Sequence, residues 1–411
     1  MKYQNFSQRQ NLTLTWWFRD QFKDCDGIIC DGSIRSGKTV SMAVGFLMWS
    51  MSSFNGQKFA ICGKTIEALR RNVISNIPQW VEGLYTVSER RSENKLIVSA
   101  HGVTNTYYLF GGKDESSAKL VQGITLAGVY FDEVALMPRS FVEQAMGRCS
   151  VDGSKFWFNC NPENPSHWFY VEWIKKHTQR NVLYLHFTMI DNLSLSDKIR
   201  QRYENMYSGV FYRRYILGLW VKAEGLVYPM FNRDIHRVHG AYEYRPSHRY
   251  YVSVDYGTVN PFAAGLYDYD PANQRATMIK ELYYRGGSEN RVDNEAYYRM
   301  LKGLIGDIPI EYIVIDPSAS SMIETIQKYG DYIVVKADND VINGIQDVTK
   351  FLNAGVLYFH ESCKATFEEF ETYAWNEKSV EDAVLKENDH SMDQLRYFCR
   401  SALRSELKWV V

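Results

Sequence analysis

The feature that most restricts the fold of this chain is the segment 32–39, which reads Gly-Ser-Ile-Arg-Ser-Gly-Lys-Thr. It fits the phosphate-binding pattern G-x-x-x-x-G-K-[ST] at every fixed position. A short apolar strand, 27–30, is predicted before it, and an apolar helix, 40–50, is predicted after it. The glycines let the loop bend so that backbone N–H groups and the helix N-terminus surround phosphate groups. The segment therefore predicts a nucleotide-binding α/β domain.

A second apolar strand, 128–131, ends in two carboxylates, Asp132 and Glu133. In a P-loop site, Lys38 would place its charge on the β- and γ-phosphates, and the hydroxyl of Thr39 would ligate Mg²⁺. Asp132 would hold the same ion through water, and Glu133 would orient and deprotonate the attacking water. The alternative is that the two acids are ordinary surface residues at a strand end.

The strand 155–159 runs into a polar turn that contains Asn159 and Asn161. Either amide is a candidate sensor of the γ-phosphate, because this position couples hydrolysis to motion in helicase-like ATPases. Turn formation by the Asn-Pro pair at 161–162 is an equally simple explanation.

Weaker nucleotide-binding candidates lie elsewhere in the first half of the chain. Phe6, Gln8 and Gln10 could form an adenine-reading segment, since a glutamine amide both donates and accepts hydrogen bonds. A charge-stabilising finger could come from Arg35, Arg148 or Lys119. The full set expected to bind nucleotide is Gly32, Ser33, Arg35, Ser36, Gly37, Lys38, Thr39, Asp132, Asn161 and Gln10.

The second half opens with three predicted strands, 250–256, 263–269 and 277–284, followed by alternating helices and strands and a last helix at 391–403. This order is typical of an RNase H-like fold. Asp255 and Asp316 each end or interrupt an apolar run. An isolated acid in such a run is costly unless a partner compensates its charge, and a divalent cation bound by both would do so.

A third acidic element, 388–393, opens the last helix. Asp389 and Asp393 are four residues apart and so share one helix face. Asp393 together with Asp255 and Asp316 predicts a pocket for two Mg²⁺ or Mn²⁺ ions that cleave a phosphodiester. Asp389 and His390 are further candidate ligands, although Asp389 could serve only as the helix N-cap and His390 only as a helix-start residue.

The organisation predicted from these patterns is an ATPase domain at 1–225, a linker at 226–246 and a nuclease domain at 247–411. The seven cysteines form no Cys-x-x-Cys pair, which favours reduced thiols. No apolar stretch is long enough to span a membrane.

The net charge of −1 gives no overall nucleic-acid signal, so DNA contact would require a local basic surface. The predicted helical stretch 172–222 carries nine positive against four negative side chains. An ordinary solvated helical surface explains this excess about as well as a DNA track does. The candidate DNA-binding residues are Lys175, Lys176, Arg200, Arg202, Arg213 and Arg214.

Taken together, the motifs resemble those of the large terminase subunit of tailed bacteriophages, in the group that includes the SPP1 and PBSX-like proteins. The resemblance covers nearly the whole chain. Its most specific parts are Phe-Asp-Glu at 131–133, Asn-Pro-x-x-Pro-x-His-Trp at 161–168, Val-Asp-Tyr-Gly at 254–257, Ile-Asp-Pro-Ser at 315–318 and Asp-His-x-x-Asp-x-x-Arg-Tyr at 389–397.

The resemblance implies an enzyme that cuts concatemeric viral DNA into genome lengths and uses ATP with Mg²⁺ to drive duplex DNA into a procapsid. It implies three partners, namely double-stranded DNA, the portal protein and a small terminase subunit. The chain would be a monomer alone and a ring on the portal, in the cytoplasm of the infected bacterium. Gln122-Gly123 stands where some relatives carry an arginine.

Two other functions are compatible with the same motifs. A cellular ATPase–nuclease of DNA repair or transposition would need the same two sites. An ATP-gated scaffold with an inactive nuclease is a third class, which predicts no cleavage of plasmid DNA with Mn²⁺.

Overall fold

A computed structural model describes residues 6–257, 261–285, 292–379 and 381–407. The chain divides into two compact units. Unit 1 comprises residues 1–202 and 212–222, and unit 2 comprises residues 203–211 and 223–411.

Unit 1 is built on an eight-stranded sheet with the order β3-β4-β5-β2-β6-β7-β1-β8. All neighbouring pairs from β5 to β8 are parallel, whereas β3, β4 and β5 form antiparallel pairs. Its strands are β1 (Gly27–Gly32), β2 (Lys58–Gly63), β3 (Thr86–Arg90), β4 (Lys95–Ala100), β5 (Val103–Gly111), β6 (Gly128–Phe131), β7 (Lys155–Asn159) and β8 (Val182–Phe187).

Helices α2 to α5 lie between strands of this sheet in the chain, as expected for crossover connections, whereas α1 precedes β1, and α6 and α7 follow β8. Helix α2 is apolar on most of its surface and is buried over most of its length. Its Phe46 packs against the rings of Trp49, Phe59 and Trp157, with ring centroids 5.8–5.9 Å apart. The α-helices are α1 (Gln8–Thr15), α2 (Lys38–Ser53), α3 (Ile66–Asn72), α4 (Ile77–Trp80), α5 (Arg139–Met146), α6 (Asp197–Met206) and α7 (Gly209–Phe211).

The stretch 172–222, expected to be helical, also contains a strand. β8, with the sequence Val-Leu-Tyr-Leu-His-Phe, pairs in parallel with β1 over six residues. Its apolar and aromatic side chains suit a strand, and pairing with the P-loop strand fixes it at the edge of the sheet. The expectation of a wholly helical stretch was therefore wrong.

Unit 2 contains a seven-stranded sheet with the order β14-β13-β10-β11-β12-β15-β9. β10, β11 and β12 form an antiparallel meander, and β13 and then β14 extend it in parallel on the β10 side. This confirms the α/β, RNase H-like arrangement predicted for the second half. The strands are β9 (Arg237–Val238), β10 (Arg249–Asp255), β11 (Phe262–Asp270), β12 (Arg275–Tyr284), β13 (Tyr312–Ile315), β14 (Val334–Lys336) and β15 (Leu357–His360).

The helices of the second half cover this sheet with amphipathic faces. In α9, for example, Tyr297, Tyr298, Leu301 and Leu304 are buried at the three- and four-residue spacing of one helix face. The helices are α8 (Arg233–His236), α9 (Asn294–Ile305), α10 (Ser320–Tyr329), α11 (Val341–Asn353), α12 (Lys364–Thr372), α13 (His390–Phe398) and α14 (Arg404–Glu406).

The segment 226–246, expected to be a linker, belongs to unit 2. Val227 and Tyr228 are buried, and β9 pairs in parallel with β15. The two prolines and two glycines between residues 224 and 246 suggested an irregular connection, but the apolar residues Val227 and Tyr228 are buried in the second unit.

No helix in the described parts of the chain combines the length and the apolarity needed to cross a membrane.

Candidate active sites

The sheet order of unit 1 brings three strand ends together. β7 lies between β1, which leads into the P-loop, and β6, which leads to Asp132. Because these strands are parallel, their carboxyl ends meet at one edge of the sheet. Asn159, the last residue of β7, is therefore placed between the P-loop and the carboxylates that follow β6.

A cavity of 600 Å³ opens at this edge. It is lined by Ile34, Arg35, Ser36, Gly37, Lys38, Thr39, Val40, Arg71, Asn72, Asn76, Trp80, Asp132, Glu133, Asn159, Asn161 and Asn192. The lining thus combines a P-loop and helix N-terminus, two carboxylates and several amides, which is the chemistry expected for a bound nucleoside triphosphate.

Lys38 is buried within the loop that it serves. Its Nζ contacts the carbonyl oxygens of Gly32 and Ser33 at 3.0 and 2.6 Å, and the Oδ1 of Asn161 at 3.1 Å. Burial lowers the pKa of Lys38 below its usual value. The contacts are all neutral oxygen acceptors, so arriving phosphate oxygens can replace them with a stronger, charge-assisted interaction.

Asn159 connects the residues predicted to hold Mg²⁺ to one another. Its Nδ2 donates to Asp132 Oδ1 at 2.8 Å and lies 3.4 Å from Thr39 Oγ1. Tyr130 donates its hydroxyl proton to the same carboxylate oxygen at 2.9 Å. Burial raises the pKa of Asp132, although the hydrogen bonds from Asn159, Tyr130 and Thr39 oppose the rise.

Glu133 has an unusual backbone conformation, with φ at 59°. This left-handed region is uncommon for a residue other than glycine and costs on the order of 1 kcal/mol or more. The Oδ1 of Asn159 accepts the Glu133 N–H at 2.8 Å and so holds this conformation. Burial, followed by the charge of Asp132, raises the pKa of Glu133 to about 7, which suits a general base near neutral pH.

Only some of the remaining candidates for nucleotide binding line this cavity. Gln10 does not line the cavity. Its Oε1 accepts the Ser7 N–H at 3.0 Å. Its side-chain amide nitrogen occupies the space that a side chain at position 37 would need, which Gly37 leaves open. Arg35 lines the cavity in a left-handed conformation, whereas Arg148 and Lys119 do not line it. Arg71 also lines the cavity and was not identified from the sequence.

In unit 2, the acids predicted to bind metal line one cavity of 370 Å³. Asp255 ends β10 and Asp316 directly follows β13, and these two strands are parallel neighbours. Helix α13 begins beside them. The cavity is lined by Asp255, Tyr256, Gly257, Asp316, Asn339, Val341, Lys386, Asp389, His390, Asp393, Arg396 and Tyr397.

Asp255, Asp316 and Asp393 each form a hydrogen bond with another side chain. His390 Nδ1 lies 2.8 Å from Asp255 Oδ2. Tyr397 donates its hydroxyl proton to Asp316 Oδ2 at 2.9 Å. The buried Arg396 donates through Nη2 to Asp393 Oδ1 at 2.6 Å. Arg396 and Tyr397 stood in the sequence pattern at 389–397, but no role was assigned to them.

The pKa values of two of these acids move in opposite directions. Burial raises the pKa of Asp255, although its hydrogen bond with His390 opposes the rise. Burial would also raise the pKa of Asp316, but hydrogen bonds from Ser318, Tyr397 and Asn339 outweigh it and lower that pKa. The cavity therefore holds carboxylates of unequal basicity.

Lys386 adds a positive charge at the mouth of the acidic cavity. Its Nζ lies 3.3 Å from Asp389 Oδ2 and 3.5 Å from Asp393 Oδ2. Asp389 occupies the N-cap position of α13, but its side chain makes no capping hydrogen bond.

The N-terminus of α13 is capped by a carboxylate from α12 instead. Glu369 Oε2 accepts the N–H groups of Ser391 and Met392 at 2.7 and 3.1 Å, and Tyr283 donates to its other oxygen at 2.7 Å. Glu369 is buried. It orients the helix that carries His390 and Asp393, and no local pattern in the sequence indicated this role.

The acidic cavity fits a hard divalent cation by its donor chemistry, since carboxylate oxygens are the preferred ligands of Mg²⁺ and Mn²⁺. In the described residues, however, no group of three or more His, Cys, Asp and Glu side chains is arranged to hold a metal ion.

The candidate DNA-binding residues do not form a uniform basic surface. Arg214 is buried and donates through Nη2 to the Val221 carbonyl at 2.6 Å, with Glu163 3.7 Å away, so it is a structural residue and its assignment to DNA was wrong. Lys176 pairs with Glu172 at 3.0 Å, and Arg200 with Asp197 at 3.2 Å. The exposed members are Lys175, Arg202 and Arg213.

Comparison with known proteins gives one consistent family. The family model described as terminase large subunit, T4likevirus-type, N-terminal, matches residues 29–235. No curated protein sequence matches the chain.

The chain is also similar to solved structures of a large terminase from a thermophilic bacteriophage. One crystal form is 50% identical, with a TM-score of 0.91, and the match covers 97% of this chain and 100% of that one. The complex of that terminase with ADP is 49% identical, with a TM-score of 0.87, and the match covers 97% of this chain and 100% of that one. The complex with ATP-γ-S is 48% identical, with a TM-score of 0.86, and the match covers 96% of this chain and 98% of that one. The chain therefore belongs to the large terminase subunits of tailed bacteriophages, the ATPases with a nuclease domain that act in viral DNA packaging.

Proposed function

We propose that this chain translocates double-stranded DNA into a procapsid by ATP hydrolysis at the unit 1 cavity and cuts concatemeric DNA into genome lengths at the unit 2 cavity. The observation that supports the first part most directly is the Asn159 network, in which one amide contacts Thr39, Asp132 and the backbone of Glu133. Membership of the terminase family sets aside the cellular repair or transposition enzyme.

In the ATPase reaction, Lys38 would leave its loop carbonyls and bind the β- and γ-phosphates. Thr39 and Asp132 would hold the Mg²⁺ that accompanies ATP. Glu133 would take a proton from the attacking water, which its pKa near 7 favours. The similar terminase of the thermophilic bacteriophage was solved with ADP and with ATP-γ-S, and we infer that this chain binds the same nucleotides.

In the nuclease site, Asp255, Asp316 and Asp393 would hold two divalent ions, with Asp389 and His390 as further ligands. When bound, such ions activate water and stabilise the leaving oxygen of a phosphodiester. Arg396 and Tyr397 would keep Asp393 and Asp316 oriented through the contacts described above. Lys386 is sufficiently exposed to move away from Asp389 and Asp393 and allow cation entry.

The partners and location follow from the family and belong to the same proposal. We infer that the chain acts on double-stranded viral DNA, docks on the portal protein of the procapsid and works with a small terminase subunit. It would be a monomer alone and a ring on the portal, in the cytoplasm of the infected bacterium.

The experiment that tests the proposal separates the two activities. Lys38→Ala should lower ATP turnover by about 100-fold or more, because it removes the charge on the phosphates, and should leave Mn²⁺-dependent cutting of plasmid DNA measurable. Asp316→Ala and Asp393→Ala should abolish cutting and leave ATP turnover unchanged.

Two matched controls accompany these variants. Lys58→Ala and Asp307→Ala each remove an exposed charge that lines neither cavity, and both should retain both activities. Retained cutting in the Asp316 and Asp393 variants would contradict the nuclease assignment. Absence of cutting by the unaltered protein would favour the scaffold with an inactive nuclease.

A further inference from the structure

The nucleotide cavity contains one cationic side chain that the P-loop does not supply. Arg71 lies in the last turn of α3, the helix that follows β2, and it lines the cavity together with Asn72 and Asn76. The cavity is therefore bounded by two separate sources of positive charge, the P-loop with Arg35 and Lys38, and the end of α3.

Helix α3 is held firmly in this position. Thr65 caps its N-terminus by accepting the Ala68 N–H at 3.1 Å. Leu69 is buried against the end of β2, so closely that a Cβ on Gly63 would lie 2.9 Å from the Cβ of Leu69. The adjacent Arg70 donates through Nε to Glu89 at 3.0 Å and through Nη2 to Asn94 at 2.7 Å. These contacts fix the helix beside the cavity.

Arg71 differs from Arg70 in having no such anchor. It is exposed, and no carboxylate among the described residues forms an ion pair with it. The Glu133 side chain lines the same cavity as Arg71. The Arg71 guanidinium, which has no carboxylate partner among the described residues, thus lines the cavity that also contains Glu133, the predicted general base.

We propose that Arg71 is a catalytic arginine supplied by the same chain, whose guanidinium contacts the γ-phosphate oxygens of bound ATP during hydrolysis. The proposal rests on the functions proposed above for Lys38 and Glu133. The planar guanidinium offers paired N–H donors that match phosphate oxygens.

The chemical step is ordinary phosphoanhydride hydrolysis. The oxygen of water bonds to the γ-phosphorus, the bond from that phosphorus to the β–γ bridging oxygen breaks, and Glu133 accepts the proton of the water. The products are ADP and inorganic phosphate. Arg71 neither gains nor loses a proton; it stabilises the negative charge on the phosphoryl oxygens in the transition state, where arginines in other NTPases act most strongly.

The test compares Arg71→Ala and Arg71→Lys in the full chain with the control Arg90→Ala. Arg90 is an exposed arginine of unit 1 that does not line the cavity. Steady-state ATP turnover gives kcat and KM, and equilibrium titrations give the affinities for ADP and for ATP-γ-S.

Arg71→Ala should lower kcat by about 100-fold or more and change the affinity for ADP by less than about 3-fold, since ADP has no γ-phosphate. The affinity for ATP-γ-S should fall further than that for ADP. Arg71→Lys should retain part of the activity, since it keeps the charge but not the paired donors.

A kcat for Arg71→Ala within about 3-fold of the Arg90→Ala value would overturn the proposal, as would an equal loss of ADP and ATP-γ-S affinity. Arg71→Lys provides the same comparison if the alanine variant fails to fold. Failure of the underlying function has a different signature, because Lys38→Ala and Glu133→Gln would then hydrolyse ATP as fast as the unaltered protein.

Discussion

At the scale of single residues, the ATPase site depends on side chains whose protonation is set by burial. Glu133 is the clearest case, because burial and Asp132 raise its pKa from 4.5 to about 7. A base with this pKa is deprotonated in a substantial fraction of molecules at neutral pH and still accepts a proton readily. Its strained backbone and its hydrogen bond to Asn159 hold the carboxylate at the cavity wall.

ATP turnover should therefore fall as the pH drops below about 7, because Glu133 becomes protonated and can no longer accept a proton from water. Glu133→Gln should lower turnover by about 100-fold or more at every pH and retain ADP binding. Steady-state kinetics from about pH 5 to about pH 9 and an ADP titration measure both effects. A pH-independent rate across that range would contradict the assignment.

Protein stability provides an independent check on the same residue. A folded-state pKa above the unfolded value means that folding favours the protonated carboxyl of Glu133. The contribution of this protonated form to the free energy of unfolding is lost as the pH rises from 4.5 through about 7. Glu133→Gln should therefore raise the thermal midpoint relative to the unaltered protein at about pH 8 and change it little at about pH 4. Equal midpoint differences at the two pH values would show that burial does not raise this pKa.

At the scale of elements, the P-loop is supported by a segment that is distant in sequence. The Ile34 N–H donates to the Tyr215 carbonyl at 2.9 Å, and the Trp220 indole donates to the buried Asp31 at 2.7 Å. Between them, Gly218 lies so close that a Cβ would be 2.9 Å from Ser33 N, and its φ is +72°. The segment 215–220 is therefore in direct contact with the backbone that binds phosphate.

Gly218→Ala should weaken both folding and ADP binding, because the added methyl group would displace the P-loop backbone. The matched control is Gly56→Ala, which has a φ of +71° but no atom within 4 Å of the added Cβ. Both variants should lose about 1 kcal/mol of unfolding free energy from backbone strain. Only Gly218→Ala should also lose ADP affinity, measured by titration; equal ADP affinities in the two variants would contradict this role for the segment.

At the scale of the whole molecule, each compact unit contains its own polar cavity. With a net charge of −1, DNA binding must depend on local cations. Lys175 and Arg213 are two of the exposed candidates that remain after Arg214 is assigned a structural role.

Affinity for duplex DNA should fall steeply as salt concentration rises, because phosphate contacts release bound counterions. Lys175→Ala and Arg213→Ala should each reduce the slope of log affinity against log salt by about 1 if that side chain contacts a phosphate. Arg90→Ala should leave the slope unchanged. Fluorescence anisotropy at several salt concentrations measures the slope, and an unchanged slope in both variants would remove the 172–222 surface from DNA binding.

The sequence by itself predicted the candidate catalytic residues and determined the order of the two fold classes along the chain. The P-loop pattern, the strand that ends at Asp132 and the meander that begins with Asp255 are local features, and short-range backbone preferences and hydrophobic pattern suffice to specify them. The confirmed family and fold both follow from motifs that can be read along the chain.

Only the tertiary structure decided which side chains act together. Sheet order put Asn159 between Thr39 and Asp132, and packing of α12 on α13 made Glu369 a helix cap. Arg214 was taken for a surface residue because its charge is visible in sequence while its burial is not. These outcomes depend on pairings between residues far apart in the chain, which form only when strands and helices pack into one core, and no local pattern encodes such a pairing.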